Sequence, residues 1–290
     1  MSRSLRPVSR EPPSFDLVVA TVGRTAELGR LFDSLEAQGY PRLRTIVVDQ
    51  NADDRVAELI SGRGLELVHV RAPLGLSRAR NVGLREVSGD VVGFPDDDCA
   101  YPPSLLDRLA ERFAGDPGLD GLTGRAADER GRSSSSWKSD SAVLTLDNLW
   151  NRANAATMFL RRDLVARVGS FDERLGLGSG ESWSSGEETD FLVRAVGEGA
   201  RIMYDPTLVV LHDVREDDTA IGLRDGMSMG YILRKHGYPA RTVARMLVRP
   251  VGGALLALAR LDTPRARYYT ATLRGRIQGY RGTSPSNSSA

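Results

Sequence analysis

Two hydrophobic periods alternate along the first hundred residues. Residues 15–20 (FDLVVA) form a short β-branched run behind Pro12-Pro13 and predict a buried strand. Thr25 then stands at an N-cap position. Leu28, Leu31, Phe32 and Leu35 follow at i, i+3, i+4 and i+7, a helix that Gly39 and Pro41 stop. The pattern repeats with a strand over 45–48 ending at Asp49, a helix over 53–60, and a strand over 65–70 behind Gly62 and Gly64. A helix carrying Leu76, Ala79, Val82 and Val87 comes next, and Gly89-Asp90 turns the chain into a strand over 91–94. Strand and helix alternating with short connections predict a mostly parallel, Rossmann-like α/β sheet with helices on both faces.

The second half is less regular. Its pattern predicts a helix over 104–113, a strand over 121–125, a serine-rich mobile loop over 131–141, and a strand over 155–160. A helix over 162–168, a loop over 178–186, a helix over 187–198, and short strands over 201–204 and 208–211 complete this part. Arg241, Arg245 and Arg249 fall on one helical face, with Val243, Met246 and Leu247 off it. Pro250 is expected to break that helix, leaving an apolar stretch over 251–259.

Composition narrows the classes. With 290 residues, 41% hydrophobic and 27% charged, the chain can bury a core, which excludes wholesale disorder. The single cysteine, Cys99, excludes a disulfide framework and a cysteine zinc site, and fits a reducing, cytoplasmic compartment. The net charge of +1 hides an asymmetry: eleven Lys/Arg lie between Arg234 and Arg281 against one acid, Asp262. An arginine face beside an apolar one suits a helix lying on an anionic membrane surface, at the inner face of the cell membrane; a helical pair packed on the body is the plain structural alternative. No nucleic-acid motif accompanies the basic segment, so no nucleic-acid partner is expected. No apolar run reaches the ~20 residues of a spanning helix. The expected organisation is a loose leader over 1–14, a body over 15–215 divided near residue 100, a basic helical appendage over 216–281 and a frayed tail over 282–290.

The densest polar signal is Phe94-Pro95-Asp96-Asp97-Asp98, directly after a buried strand. In open α/β sheets ligands bind at the carboxyl ends of strands. Adjacent carboxylates repel one another and call for a counter-cation, and their oxygens suit Mg2+ or Mn2+ bridging to substrate phosphates. A solvated turn with an N-cap aspartate reads equally well from the cluster alone. Thr21 and Asp49 also end strands, and Arg78, Arg80 and Asn81 open a helix where guanidinium and backbone N–H groups can meet phosphate. Together these residues describe a site for a nucleoside diphosphate and its metal. Trp183, in the glycine-rich 176–185 segment, offers an indole face on which an acceptor sugar could stack; a loop anchor in the core is the other reading.

The run from Asp16 to Asp98 resembles the nucleotide-binding half of a family 2 glycosyltransferase of GT-A fold. The matching pieces are Thr21-Val22-Gly23-Arg24, Val47-Val48-Asp49-Gln50-Asn51, the segment from Gly75 to Gly83, and Asp96-Asp97-Asp98. Gly186-Glu187-Glu188-Thr189-Asp190-Phe191 and Leu211-His212-Asp213 extend the likeness over roughly residues 15 to 215. The resemblance implies a nucleotide-binding half to about residue 100, an acceptor and catalytic half to 215, and inverting transfer from a nucleoside-diphosphate sugar, a UDP-sugar above others. The acceptor it implies is a hydroxyl of a glycan or lipid-linked molecule of the cell envelope or an exopolysaccharide. It also implies roles: Asp49 on the nucleotide base with Thr21 beside it, Asp96 on ribose or metal, Asp98 on the metal, Arg80 toward the phosphates, and Asn154 near the donor sugar. His212 becomes an extra metal or phosphate contact. The family usually carries aspartate where this chain has Glu188, which makes Glu188 the first choice for base and Asp190 the second, with Glu187 orienting the acceptor loops or capping the helix. An acceptor hydroxyl ionises far above pH 7, so a carboxylate must take its proton as the bond forms. A non-catalytic nucleotide-sugar binder is the rival from another class, and a haloacid-dehalogenase-type phosphohydrolase a weaker one, since its motif belongs on the first strand.

Overall fold

A computed structural model of the chain describes residues 11–133, 137–213 and 218–282. The expected leader is therefore described only from Glu11 and the expected tail only at Gly282; the remainder of both, and the middle of the serine-rich stretch, lie outside the described residues. Among the described residues, 11–74, 78–170 and 191–213 form one compact unit, and 75–77, 171–190 and 218–282 a second.

The first unit is built on strands Phe15–Thr21 (β1), Leu43–Asp49 (β2), Glu66–Arg71 (β3), Val91–Gly93 (β4), Cys99–Ala100 (β5), Gly121–Ala127 (β6), Ala142–Val143 (β7), Met158–Arg161 (β8) and Ile202–His212 (β9). They join in the order β3-β2-β1-β4-β8-β6-β9-β5, with β7 paired to β9. β1, β2 and β4 are buried along nearly their whole length, as strands covered on both faces must be. Helices Thr25–Glu36 (α1), Arg55–Ile60 (α2) and Leu76–Leu84 (α3) link the first four strands. Gly83 lets α3 approach the sheet closely: a Cβ there would stand 2.5 Å from Val18 Cγ1. Helices Leu105–Gly115 (α4) and Arg162–Val168 (α5) follow, and Glu187–Gly197 (α6) starts in the second unit and ends in the first.

Three details differ from the sequence expectation. The sheet is parallel from β3 to β4 but mixed beyond, because β8 runs antiparallel to both β4 and β6 while β9 is parallel to β6. The strand expected over 155–160 begins as a 3-10 turn, Ala155–Thr157, before β8. The two short strands expected around Pro206 are one strand, β9. Its register shifts between Thr123 and Arg125, so that residues 205–208 face only Gly124, and the missing Pro206 N–H falls inside that irregularity. A Cβ on Gly124 would collide with the Leu208 carbonyl.

The second unit carries helices Thr219–Lys235 (α7), Ala240–Ala259 (α8) and Thr263–Arg281 (α9). The Asp218 carboxylate caps α7 by accepting from Ala220 and Ile221 N–H, and Asp262 caps α9 by accepting from Arg265 N–H. Gly226 and Gly230 of α7 and Gly275 and Gly279 of α9 bring the two backbones into contact; a Cβ on any of them would meet main-chain atoms of the other helix.

Pro250 does not break α8. It removes the N–H that the Met246 carbonyl would accept in a helix, and the Arg276 guanidinium of α9 donates to that carbonyl instead. Continuity through Pro250 gives a 20-residue helix whose most apolar 18-residue window has a mean hydropathy of 1.4, long and apolar enough by length and composition to cross a membrane, where the sequence pattern had shown only a short apolar run.

Candidate functional site

In the first unit the polar groups gather past the carboxyl ends of β1, β2 and β4, because parallel strands all end on one edge. Beyond β4 the Cys99 N–H donates to the Asp96 carbonyl at 3.2 Å, closing a tight turn over residues 96–99. Asp97 turns inward, 7% exposed, and its Oδ2 accepts from Thr21 Oγ1 at 2.8 Å. Burial, followed by the neighbouring Asp98 and Asp96 charges, pushes the Asp97 carboxyl up, against the opposing pull of Thr21 and Arg24. Asp96 and Asp98 turn to the other side.

There the β5–β9 ladder completes a cluster. Cys99 pairs with His212, which brings the imidazole to Asp98: Nε2 lies 3.2 Å from Asp98 Oδ1 and 3.9 Å from Asp96 Oδ2. One ligand atom from each of Asp96, Asp98 and His212 falls within 4.8 Å of the others. A hydrogen bond donated by the protonated imidazole to Asp98 raises the His212 pKa more than burial lowers it, with the Asp213 carbonyl adding to the rise. His212 Nδ1 sits 2.9 Å from the Asp213 carbonyl. With a cation bound, a protonated Nδ1 would keep that acceptor satisfied and free the Nε2 lone pair as a ligand. Two carboxylates and an imidazole so arranged fit a divalent cation.

Arg24 is a component the sequence reading missed. Its Nη1 donates to Asp97 Oδ1 at 3.1 Å and Asp98 Oδ2 at 2.6 Å, supplying positive charge to the acidic cluster. Its position in Thr21-Val22-Gly23-Arg24, just beyond a strand end, was the available signal. Arg80, expected to face phosphates, is 1% exposed and donates to Asp96 Oδ1 at 3.1 Å, which places its guanidinium against the carboxylate cluster.

Asp49 is fully buried. Its Oδ1 accepts from the Asn51 backbone and side chain, both at 2.8 Å, while Oδ2 lies 3.0 Å from His69 Nε2 and 3.7 Å from Arg71 Nε. Burial pulls its pKa up, but these partners together outweigh burial and hold it below the ordinary value. His69 and Arg71 were also missed. They come from β3, and only the β2–β3 register, with Val47 opposite His69, brings them to Asp49. Asn154 caps the 3-10 turn: its Oδ1 accepts from Thr157 N–H at 3.1 Å.

In the second unit three acids open α6, where the helix dipole favours them. Glu187 is 4% exposed, Glu188 partly exposed and Asp190 fully buried. Asp190 Oδ1 holds Lys235 Nζ at 2.6 Å and His236 Nε2 at 2.8 Å, so this carboxylate ties α6 to the end of α7. Gly176, at φ +87°, has no room for a side chain: a Cβ would stand 2.8 Å from Ser77 Oγ and 3.4 Å from a Glu187 oxygen. Ser77 Oγ donates to the Leu175 carbonyl at 2.7 Å, fastening that loop. Trp183 is 5% exposed and stacks on Tyr231 with centroids 4.7 Å apart. Tyr231 covers one face of the Trp183 ring expected to meet an acceptor, and Arg174 lies beside the stacked pair, its guanidinium 5.7 Å from the Trp183 centroid and 5.6 Å from that of Tyr231.

Comparison with known proteins adds the following. The sequence model described as glycosyl transferase family 2 matches residues 16–171. A relative from Rhizobium meliloti, the succinoglycan biosynthesis protein ExoM, is 28% identical over 78% of this chain and 77% of its own. The pre-mycofactocin glycosyltransferase of Mycobacterium tuberculosis is 27% identical over 83% of this chain, which spans about half (51%) of that protein. Among solved structures, the mannosyltransferase PcManGT from Pyrobaculum calidifontis, in complex with GDP-Man and Mn2+, superposes with a TM-score of 0.63 at 16% identity, covering 96% of this chain and 90% of that one. S. aureus TarS in complex with UDP-GlcNAc gives 0.60 at 17% identity over 93% and 92%.

Proposed function

The chain belongs to glycosyl transferase family 2, and from that membership we propose that it moves a sugar from a nucleoside-diphosphate sugar, a UDP-sugar first among them, to a hydroxyl of a glycan or lipid-linked acceptor, with inversion. The observation that carries this reading is the cluster of Asp96, Asp98 and His212 beyond the strand ends that also bear Thr21 and Asp49. Asp96, Asp98 and His212 would hold Mn2+ or Mg2+, which when bound supplies Lewis-acid stabilisation of the departing diphosphate. Arg80 fixes the Asp96 carboxylate, and the Arg24 guanidinium supplies the positive charge on Asp98 that a cation would otherwise provide.

Asp49, ionised and held by Asn51 and His69, is the residue proposed for the nucleotide base, with Thr21 at the neighbouring strand end; meeting the base requires one of its present partners to give way. Glu188 accepts the acceptor hydroxyl proton while the new C–O bond forms and the bond to the diphosphate breaks. Its partial exposure supports this choice over Asp190, whose buried charge is already matched by Lys235 and His236. Asn154, which also caps the 3-10 turn, stays as the residue near the donor sugar, and Glu187 as the helix-end acid that orients the acceptor loops. The name of the Rhizobium relative favours an envelope or exopolysaccharide glycan as product.

A thermal-shift screen of UDP, GDP, CDP and ADP, each with and without Mn2+, tests the reading, since a ligand binding only the folded state raises the melting temperature. One nucleotide raising it in a Mn2+-dependent way, followed by sugar release or transfer from the matching donor, is the expected result. No nucleotide response, or binding without transfer or donor hydrolysis, would refute it.

A further inference from the structure

α8 is amphipathic in an unusual sense. Val243, Met246, Pro250 and Ala257 are buried along one stripe, and Gly253 lies against the Tyr269 ring of α9. The opposite stripe is exposed, and its character changes along its length. Its first half presents Arg241, Arg245 and Arg249. Its second half presents Leu255 at 63% exposure, with Leu256 and Leu258 also open, and Val248 and Val251 begin the change. Beyond the helix end Leu261 is 88% exposed and sits at φ +58°, a left-handed conformation that leucine adopts only under constraint. An apolar patch of this kind on one helix marks an interaction surface rather than scattered surface leucines.

The charge around it specifies the partner. Among the described residues no carboxylate pairs with Arg241, Arg249, Arg260 or Arg276. Arg276 is largely buried, its Nε has no hydrogen-bond partner, and burial followed by the nearby Arg249 charge lowers its pKa to about 10. This helix pair therefore holds uncompensated positive charge beside an uncovered apolar stripe, the combination that anionic lipid bilayers complement.

We propose that α8 docks this chain on an anionic membrane, lying in the interface with its arginine half among headgroup phosphates and Leu255, Leu256, Leu258 and Leu261 among the acyl chains. α8 is long enough to cross a bilayer, but its apolar residues 251–259 rise only about 14 Å as helix, less than half of a ~30 Å hydrocarbon core, and Arg241, Arg245 and Arg249 occupy the rest, a pattern that suits a helix lying in the interface. Attachment through α8 is independent of sugar transfer, and a chain that binds no nucleotide can still bind vesicles.

The test is co-sedimentation of the full chain with phosphatidylcholine vesicles, with and without phosphatidylglycerol, at low and high salt. Binding is expected only with phosphatidylglycerol, with most of it lost near 1 M salt, where the screening length is about 3 Å. Leu255→Glu with Leu256→Glu, both at exposed positions, should weaken partitioning about tenfold or more while the melting temperature stays that of the parent. Arg249→Gln should weaken it several-fold and reduce the salt dependence. Failure to bind the anionic vesicles, or leucine variants that bind like the parent, would overturn the proposal. So would resistance to alkaline extraction, which marks a spanning helix, or a dimer that the leucine variants split in a chain that ignores vesicles.

Discussion

His212 and Asp98 meet because Cys99 and His212 are partners across an antiparallel ladder of only two residues per strand on the β5 side. One short pairing, between chain positions more than a hundred residues apart, supplies the imidazole of the carboxylate cluster.

Asp98→Ala and His212→Ala should each abolish the Mn2+-dependent part of the nucleotide thermal shift, and Asp98→Ala should lower turnover by several orders of magnitude. Both side chains are partly exposed, so the fold should persist by circular dichroism. A Mn2+ response that survives Asp98→Ala would exclude this cluster as the metal site.

Glu188→Gln and Asp190→Asn should separate chemistry from support. Loss of a general base costs about 10^2 to 10^4 in rate, so Glu188→Gln should lower kcat on that scale with an unchanged melting temperature. Asp190→Asn leaves the Lys235 ammonium with Asp172 alone and weakens the bonds to Lys235 and His236, and should cost about 1 to 3 kcal/mol of stability. Urea unfolding and steady-state kinetics on both variants read the two effects; a Glu188→Gln enzyme near parental kcat would remove it as base.

Trp183→Ala should behave as a core deletion. The stack on Tyr231 and near-complete burial predict a loss of about 3 kcal/mol, measured by denaturant titration. A stable variant with a raised acceptor KM alone would restore a direct acceptor role.

Asp16 makes acid stability predictable. Burial pushes its carboxyl up, but Arg44, in a two-pronged pair at 3.0 and 2.7 Å, and the backbone N–H of Gly89 and Ser88 together hold it below the ordinary 3.8. The unfolded chain therefore binds the Asp16 proton more readily than the folded one. Its stabilisation is complete above the unfolded pKa near 4 and is lost as pH falls through the lower folded value. Asp16→Asn should lower stability at pH 7 and flatten the decline between pH 5 and 3 in urea titrations; an unaltered acid limb would contradict this.

Gly279→Ala should disrupt the α7–α9 contact, because the new methyl would overlap the Met227 carbonyl, a main-chain atom that cannot rotate aside. Overpacking of this sort costs about 1 to 3 kcal/mol or more, visible as a lower melting temperature. Gly282→Ala, at the left-handed end of α9, should cost less, as its nearest neighbour is the flexible Arg234 side chain.

Much of the first unit was legible in the chain itself. β1, β2 and α1 follow from local period and breakers alone, and the acidic run after β4 stood out because three adjacent carboxylates demand a compensating charge. Pro250 misled because it was read by its local cost, while the structure offsets that cost through Arg276 on Met246; the gap left between two short strands closes instead through the register shift opposite Gly124.

Sequence by itself determined the alternation of strand and helix, the strand-end placement of Thr21, Asp49 and Asp96, and the charge of the C-terminal segment, because these depend on spacing along the chain. Only tertiary structure decided which groups meet: His69 and Arg71 on Asp49, Arg24 and His212 on Asp98, Lys235 on Asp190, and a bare stripe of leucines on α8. Those pairings are set by register and helix packing over long sequence separations, and no local periodicity carries that information.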